Sequence, residues 1–273
     1  MAGTAPQERV GTGGRTEGAD PRPPGGDTPG EPEGRRRGRG RRVVRGIAAA
    51  VGVLGELLIT AGLVLGLFVV YSLWWTNVVA DRQAQQQGAE VRERWAAGQD
   101  RSGPQESGPG ERNLRNGVGF LHVPAMSEDD ILVTRGTSTD HLNRGVAGYY
   151  TDPVRATLPW DGKGNFSLAA HRDGHGARFH NIHELRKGDV IVFETEFTWY
   201  VYRVYAVLPE TSKYDVDVLA DVPEESGRKR AGRYVTLTTC TPMYTSEHRY
   251  IVWGELDRTV PVDHDRTPPK ELR

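Results

Sequence analysis

The sequence predicts an all-β domain, a closed or nearly closed barrel of seven or eight short strands, that follows a single transmembrane helix. An uncharged apolar stretch runs from Leu57 to Trp75. From Gly117 onward, short alternating or β-branched segments are separated by turn residues, which is typical of β proteins. Gly and Pro are concentrated in residues 1–45 and near Ser102–Gly110, which leaves about 150 residues for one folded domain.

The N-terminal segment, residues 1–45, contains almost no large apolar side chains and is rich in Gly, Pro, Arg and Glu. Such a composition cannot bury enough surface to offset the entropy of ordering, so we predict a disordered tail. Its end is basic, with seven arginines between Arg35 and Arg45. A basic run fits nucleic-acid binding or the cytoplasmic flank of a membrane span. The apolar stretch that follows favours the second, and no nucleic-acid partner is expected.

Residues 46–75 are predicted to be a membrane anchor, because they are apolar except for Glu56. The stretch is too long for the core of a signal peptide, and no small-residue cleavage site is evident after it. Tyr71, Trp74 and Trp75 lie at its C-terminal end, where aromatic rings favour the membrane interface. Because the arginines precede the span, the N-terminus is predicted to be cytoplasmic and the remainder extracytoplasmic. We expect a single-pass protein of the cell membrane rather than a buried core helix.

The predicted organisation after the anchor is a stalk or linker over residues 76–116, partly helical from Val78 to Ala97, then the barrel domain over 117–260 and a C-terminal tail over 261–273. Alternation and β-branched content predict the strands of the barrel. These strands are Gly119–Val123, Ile131–Val133, Phe166–Ala170, Asp189–Phe193, Thr198–Val207, Tyr234–Thr239 and Tyr250–Leu256. Short helical turns are predicted near Ser127–Asp130, Ala177–Glu184 and Val216–Ala220.

Cys240 is the only cysteine, so no intrachain disulfide can form. One interpretation is a buried apolar cysteine, but an exported domain would then carry an unusual free thiol. Cys240 ends one predicted strand, and after a loop that contains Pro242 the next strand starts at Arg249. If the two strands pair antiparallel, the thiol and the guanidinium are opposed, with Cβ atoms about 5 Å apart.

This pairing of a thiol with a guanidinium has a chemical meaning. A positive charge near Cys240 favours the thiolate, which is the reactive form. The guanidinium of Arg249 could also donate hydrogen bonds to a carbonyl oxygen under attack. The alternative interpretation is a surface arginine beside a buried cysteine.

A nucleophilic cysteine also needs a group that protonates the leaving amine, and His171 is the candidate. It directly follows the alternating segment Phe166–Ala170 and precedes a polar, Gly-containing loop. His175, His180 and His183 lack the i, i+4 spacing with a carboxylate that would support a metal site, so no metal is expected. His248 is predicted to lie at the rim of the site without taking part in the chemistry. Three other histidines and four carboxylates are predicted to lie on the surface, namely His122, His141, His264, Asp129, Asp130, Glu194 and Glu196.

The segments LAAHR (Leu168–Arg172), TLTTC (Thr236–Cys240) and RYIVWG (Arg249–Gly254) resemble the signature of the sortase family. The upstream GYY, ATLP and GN-F elements of Gly148–Phe166 are similar to the segment before the sortase histidine. The likeness extends over roughly residues 117–256. The T-T-C-T-P-x-Y-T-S-x-x-R loop and the anchor look most like the class E sortases of actinobacteria, with class D the nearest neighbour. Ala170 departs from the glycine that many members have there.

The resemblance implies an eight-stranded sortase-type β-barrel with Cys240 as nucleophile, His171 as general acid and base, and Arg249 as the residue that stabilises the oxyanion or aligns the substrate. Thr239 and Thr241 are expected to contact the substrate or the oxyanion. The implied reaction cleaves an LAXTG-like signal between Thr and Gly through a thioacyl-enzyme. The expected partners are surface proteins with a C-terminal sorting signal and an amine of a peptidoglycan precursor, and no cofactor is expected.

Several other readings compete with this one. An L,D-transpeptidase would carry a histidine two residues before its cysteine, where this chain has Thr238. A papain-like hydrolase usually has its cysteine at a helix N-terminus, ahead of the histidine. A class D-like sortase would recognise a different signal. A catalytically inactive, membrane-tethered binding module would be expected to lack the cysteine, the histidine or the arginine, and all three are present.

Overall fold

The computed structural model describes residues 37–99 and 118–273. Eight strands form a closed barrel in the order β1-β2-β3-β4-β7-β8-β6-β5, which confirms the predicted all-β barrel. The strands are β1 Gly119–Val123, β2 Ser127–Arg135, β3 Ala147–Tyr149, β4 Gly164–Ala169, β5 Val190–Glu194, β6 Thr198–Ser212, β7 Arg233–Thr241 and β8 His248–Pro261. The helices are α1 Arg37–Gln99 and α2 Thr139–Leu142, and short 3-10 turns cover Ile182–Glu184, Asp217–Leu219, Glu224–Ser226 and Lys270–Leu272.

Helix α1 contains the predicted anchor and is long and apolar enough to cross a membrane. None of the residues in its most apolar window is buried, as expected of a segment that faces lipid. The described residues divide into two units, with the boundary between Ala61 and Gly62. The predicted disordered tail lies outside the described residues up to position 36, and the structure has residues 37–45 as helix.

The C-terminal half of α1, within the second unit, packs against the barrel. Ala80, Ala84, Val91 and Trp95 are buried along one face of the helix, at spacings of three to four residues or their multiples. The indole of Trp95 meets the ring of Phe120 on β1 edge to face, with 5.4 Å between the ring centroids. The first part of the expected stalk therefore packs against the barrel as part of the folded domain.

The barrel interior is filled by the apolar side chains that alternate along each strand. On β4 these are Phe166 and Leu168, and on β7 they are Val235 and Leu237. Because successive side chains of a strand point to opposite faces, the intervening polar residues point out of the barrel. This alternation places Ser167 and Thr236 among the buried polar residues of the outer face, where other segments cover them.

One prediction about local structure was wrong, and one strand was missed. Ser127–Asp130 is not a helical turn but the start of β2, because Val123 of β1 pairs with Ser127 across a tight turn. Strand β3, Ala147–Tyr149, was not predicted, since three residues are too few to show alternation. The other two predicted turns contain the 3-10 helices Ile182–Glu184 and Asp217–Leu219.

The prediction that Glu194 lies in solvent was also wrong. Its carboxylate is buried and accepts hydrogen bonds from Arg266 Nη2 at 2.7 Å and Arg92 Nη1 at 3.1 Å, while His122 Nε2 lies 2.9 Å from Oε2. Glu196 is buried too, and His122 and His141 are half-buried rather than surface residues. The partners of Glu194 come from α1, β1 and the C-terminal tail, which no local pattern connects.

Glu194→Gln is expected to destabilise the fold in a pH-dependent way. Burial alone would raise the pKa of Glu194, but the His122 hydrogen bond and the charge of Arg92 outweigh it and lower the pKa from 4.5 to about 2. A carboxyl whose pKa is depressed on folding contributes stability above its unfolded pKa and loses it as the pH falls towards the folded pKa. The difference in unfolding free energy is roughly 3 kcal/mol at pH 7 and shrinks between pH 4.5 and 2.

Urea unfolding at several pH values measures this difference. Glu128→Gln, on an exposed position of β2, is the matched control and should change little. A Glu194→Gln chain as stable as the wild type at pH 7 would contradict the assignment of Glu194 as a stabilising ionised group.

Candidate active site

The site begins at the parallel pairing of β4 with β7, whose last paired residues are Ala169 and Thr238. The backbone N–H of Ala170 continues the ladder and donates to the carbonyl oxygen of Thr238 at 3.3 Å. Two positions beyond the last pair, the same register brings His171 beside Cys240, on strands that lie about 4.8 Å apart. Neither side chain points into the barrel, because the alternation of the core residues assigns them to the outer face.

The hairpin of β7 and β8 adds the third predicted residue. Cys240 and Arg249 are directly paired across the two antiparallel strands. The Arg249 guanidinium donates through Nη1 to the carbonyl oxygens of His248 at 2.9 Å and Ser246 at 3.2 Å. Among the ion pairs within residues 37–99 and 118–273, none involves Arg249, so no carboxylate neutralises its charge.

A cavity of about 600 Å³ brings these groups together. His171, Cys240, Arg249 and Thr239 all line it. Thr241, the other predicted substrate contact, is not part of this lining. Its hydroxyl instead accepts a hydrogen bond from the guanidinium of Arg172. The remaining walls come from the region of α2, from the segment after β6 and from the loop between β7 and β8.

His171 is held by groups that sequence analysis did not identify. Its Nε2 lies 2.8 Å from the side-chain oxygen of Asn143, the residue that follows α2. Because an amide oxygen can only accept, this hydrogen bond requires the tautomer with the proton on Nε2. The ring centroid of His175 lies 5.6 Å away. Burial lowers the pKa of His171, the nearby His175 lowers it further, and Asp173 opposes both. With Nε2 bound to Asn143, Nδ1 is the nitrogen left for proton transfer in the cavity.

Arg172 is a second guanidinium at the site, and sequence analysis missed it. The side chain is buried, and Nη1 donates to Thr241 Oγ1 at 2.8 Å and to the carbonyl oxygen of Cys240 at 3.4 Å. The guanidinium also faces the ring of Tyr250 at 5.5 Å. Arg172 therefore fixes the end of β7 relative to the end of β4. The position of Arg172, directly after the candidate histidine, was the feature of the sequence from which this role could have been predicted.

Tyr150 is a further lining residue outside the predicted set. Its hydroxyl lies 2.9 Å from Thr238 Oγ1, whose own hydroxyl also reaches the carbonyl oxygen of Leu168 at 3.1 Å. Burial raises the pKa of Tyr150, so the phenol stays protonated. Tyr150 belongs to the GYY segment at Gly148–Tyr150. Sequence analysis noted this segment only as part of a family resemblance and assigned no role to Tyr150.

The arrangement is suited to nucleophilic acyl transfer. A half-buried thiol, an imidazole and an unneutralised guanidinium share one cavity. A cysteine acyl transferase needs a nucleophile, a proton-transfer group and an oxyanion donor, and groups of these three chemical types are present here. Within the described parts of the chain, no group of three or more His, Cys, Asp or Glu side chains is placed to hold a metal ion.

Comparison with known proteins points to one family. The sortase domain family matches residues 121–257. Sortase SrtE2 of Streptomyces coelicolor is 72% identical over 239 residues, which cover 86% of this chain and 94% of that protein. Sortase SrtE1 of the same organism is 41% identical over 225 residues, covering 82% of this chain and 62% of that protein. The crystal structure of sortase E1 from Streptomyces coelicolor with a tripeptide in the active site aligns with a TM-score of 0.55 and 39% identity, covering 62% of this chain and 100% of that chain.

Asn143→Asp is expected to raise the pKa of His171, because a carboxylate in place of the amide favours the imidazolium. NMR titration of the His171 ring measures the midpoint, which in the wild type should lie below the ordinary value of 6.5. Gln86→Glu adds the same charge on an exposed face of α1 and is the control. An unchanged midpoint in Asn143→Asp would mean that residue 143 does not contact the ring.

Proposed function

The chain belongs to the sortase family of cysteine transpeptidases, and on that premise we propose that it cleaves an LAXTG-like sorting signal between Thr and Gly and transfers the new carboxyl end to an amine of a peptidoglycan precursor. The observation that carries the proposal is the meeting of three strand ends. The ends of β4 and β7 and the start of β8 bring His171, Cys240 and Arg249 to one cavity.

The proposed first step uses Cys240 and His171. The Cys240 thiolate attacks the carbonyl carbon of the threonine in the signal, and the C–N bond to glycine breaks as His171 gives a proton to the leaving amine. The carbonyl carbon is then held as a thioester. In the second step the acceptor amine attacks this carbon, His171 takes the proton, and the Cys240 sulfur leaves. Splitting amide exchange in this way lowers each barrier.

Arg249 is proposed to stabilise the negative charge that develops on the attacked carbonyl oxygen. Two backbone carbonyls hold one of its nitrogens, so the planar guanidinium keeps further N–H donors for the substrate. Thr239 remains a predicted substrate contact because it lines the cavity, although its hydroxyl donates to the carbonyl oxygen of Ala170 at 2.7 Å. The contact of Thr241 with Arg172 favours a supporting role instead.

The proposed location is the outer face of the cell membrane, with the N-terminus in the cytoplasm. The arginines before the anchor and the aromatic residues Tyr71, Trp74 and Trp75 at its other end support this orientation. A membrane-held enzyme meets membrane-held substrates at a raised effective concentration. Surface proteins with a sorting signal and a lipid-linked wall precursor are therefore the proposed partners.

The likeness to sortases named SrtE1 and SrtE2 supports an LAXTG-like signal of the class E type. The alternative is a class D-like signal. Mass spectrometry of the full chain in detergent distinguishes the two, with an LAXTG peptide, peptides of other sorting signals and an amine acceptor. A ligated LAXTG product supports the class, a product with another signal overturns it, and no adduct from a folded chain with any signal favours the inactive binding module.

Cys240→Ala is expected to abolish ligation while the fold remains intact. The substitution removes the attacking sulfur from a half-buried position and leaves the strand pairing unchanged. The loss of the thioacyl adduct is measured by intact-mass spectrometry, and circular dichroism checks the fold. Appreciable cleavage by Cys240→Ala would rule out this residue as the nucleophile.

Arg249→Lys is expected to reduce kcat/KM on the order of 100-fold, which is the effect of removing one oxyanion donor. An ammonium keeps the charge but lacks the planar set of donors that a guanidinium offers. Steady-state kinetics of peptide ligation measure the effect. The exposed Arg230→Lys is the matched control. Near-normal kinetics of Arg249→Lys would reduce Arg249 to a structural role.

A further inference from the structure

The membrane-proximal part of α1 touches the loop that directly follows His171. Asn77 Oδ1 accepts a hydrogen bond from the backbone N–H of Gly176 at 3.0 Å. One helical turn later, Asp81 Oδ1 accepts from Arg178 Nη2 at 2.8 Å. Arg178 also donates through Nε to the carbonyl oxygen of Gly145 at 2.7 Å. Helix α1, the end of the α2 region and the histidine loop are thereby joined by side-chain hydrogen bonds.

This loop adopts a rare backbone conformation, closed by one internal hydrogen bond from the Ala177 N–H to the carbonyl oxygen of Gly174 at 2.8 Å. Four consecutive residues have positive φ, namely Gly174 at 63°, His175 at 47°, Gly176 at 81° and Ala177 at 38°. Residues with a Cβ rarely adopt the left-handed region, and a run of this kind persists only where surrounding structure enforces it. The bond from Asn77 is at the centre of the run, so α1 supplies part of that enforcement.

The two groups next to the His171 ring each lie close to a contact with α1. His175, whose ring lies beside His171, is the neighbour of the residue that Asn77 binds. Asn143, which accepts from His171 Nε2, lies two residues before Gly145. Gly145 packs so closely on α1 that a Cβ there would lie 2.8 Å from the carbonyl oxygen of Ala80. The helix therefore supports the histidine from two sides.

We propose that Asn77 and Asp81 are positioning residues for His171. The segment of α1 next to the proposed membrane anchor would then hold the catalytic histidine in place. This inference rests on the proposed function, in which His171 transfers protons. Asn77 follows Trp75 by two residues, a rise of about 3 Å along the helix. The support for the catalytic histidine thus begins within one turn of the aromatic residues predicted to lie at the membrane interface.

The test uses the full chain in detergent with Asn77→Ala. We expect kcat for ligation to fall by about 10-fold to 100-fold with KM for the sorting peptide within about two-fold of the wild type, because misplacing a catalytic group by about 1 Å has effects of this order. Amide hydrogen exchange at Gly176 should accelerate. The midpoint of the His171 titration should rise, since an open loop hydrates the ring and moves His175 away while Asp173 and Asn143 are unchanged.

Matched variants separate positioning from general damage. Asn77→Asp keeps an oxygen acceptor and should restore most of kcat, whereas Asp81→Ala should act in the same direction as Asn77→Ala. Gln86→Ala truncates an exposed amide side chain of α1 and should have no effect. Arg92→Gln weakens the contact of the helix with Glu194, about 22 Å further along, and should lower stability without moving the His171 midpoint.

The outcomes are distinct from those that test the proposed function. If the wild-type chain ligates and Asn77→Ala behaves like Gln86→Ala in kcat, exchange and titration, the positioning role is overturned. The positioning role is also overturned if Asn77→Ala and Asn77→Asp both lose activity while the midpoint of the His171 titration stays at its wild-type value. A wild-type chain without activity would overturn the proposed function, and exchange and titration would still decide whether Asn77 holds the His171 loop.

Discussion

The site depends on the parallel pairing of β4 with β7, because two strands that run in the same direction end at the same edge of a sheet. His171 follows one strand and Cys240 lies near the end of the other, so the thiol and the imidazole meet without any long loop. The β7–β8 hairpin adds Arg249 opposite Cys240. All three groups stand on or next to paired strands, which hold a reactive constellation more rigidly than flexible loops do.

The two guanidiniums at the site have different surroundings and therefore different roles. Arg172 is buried and its Nη1 is directed to Thr241 and to the backbone of Cys240, so it ties strand ends together. Arg249 is half-buried, lines the cavity and has no carboxylate partner among the described residues, so its charge is available to a substrate. One guanidinium therefore connects strand ends while the other, the proposed oxyanion donor, lines the cavity, and both lie close to one thiol.

Helix α1 links the proposed anchor to the barrel through contacts of two kinds. Near the anchor, Asn77 and Asp81 bind the loop after His171. Towards its other end, Arg92 meets the buried carboxylate of Glu194 together with Arg266 from the C-terminal tail. Since a buried charge is stable only with partners that satisfy it, this cluster couples α1, β5 and the tail in one cooperative unit. The helix is a packed element of the domain and not only a spacer.

The sequence by itself determined whatever depends on local periodicity. An uncharged apolar run indicated a helix able to cross a membrane, and alternation together with β-branched and aromatic content located seven of the strands. A short loop between two alternating segments placed Cys240 opposite Arg249. Only the tertiary structure decided which distant segments meet. It brought Asn143 to His171, Arg172 to Thr241 and partners to Glu194, which had looked solvated. The physical reason is that hydrogen bonds and ion pairs between segments far apart in the chain leave no periodic trace, whereas the burial of one strand face does.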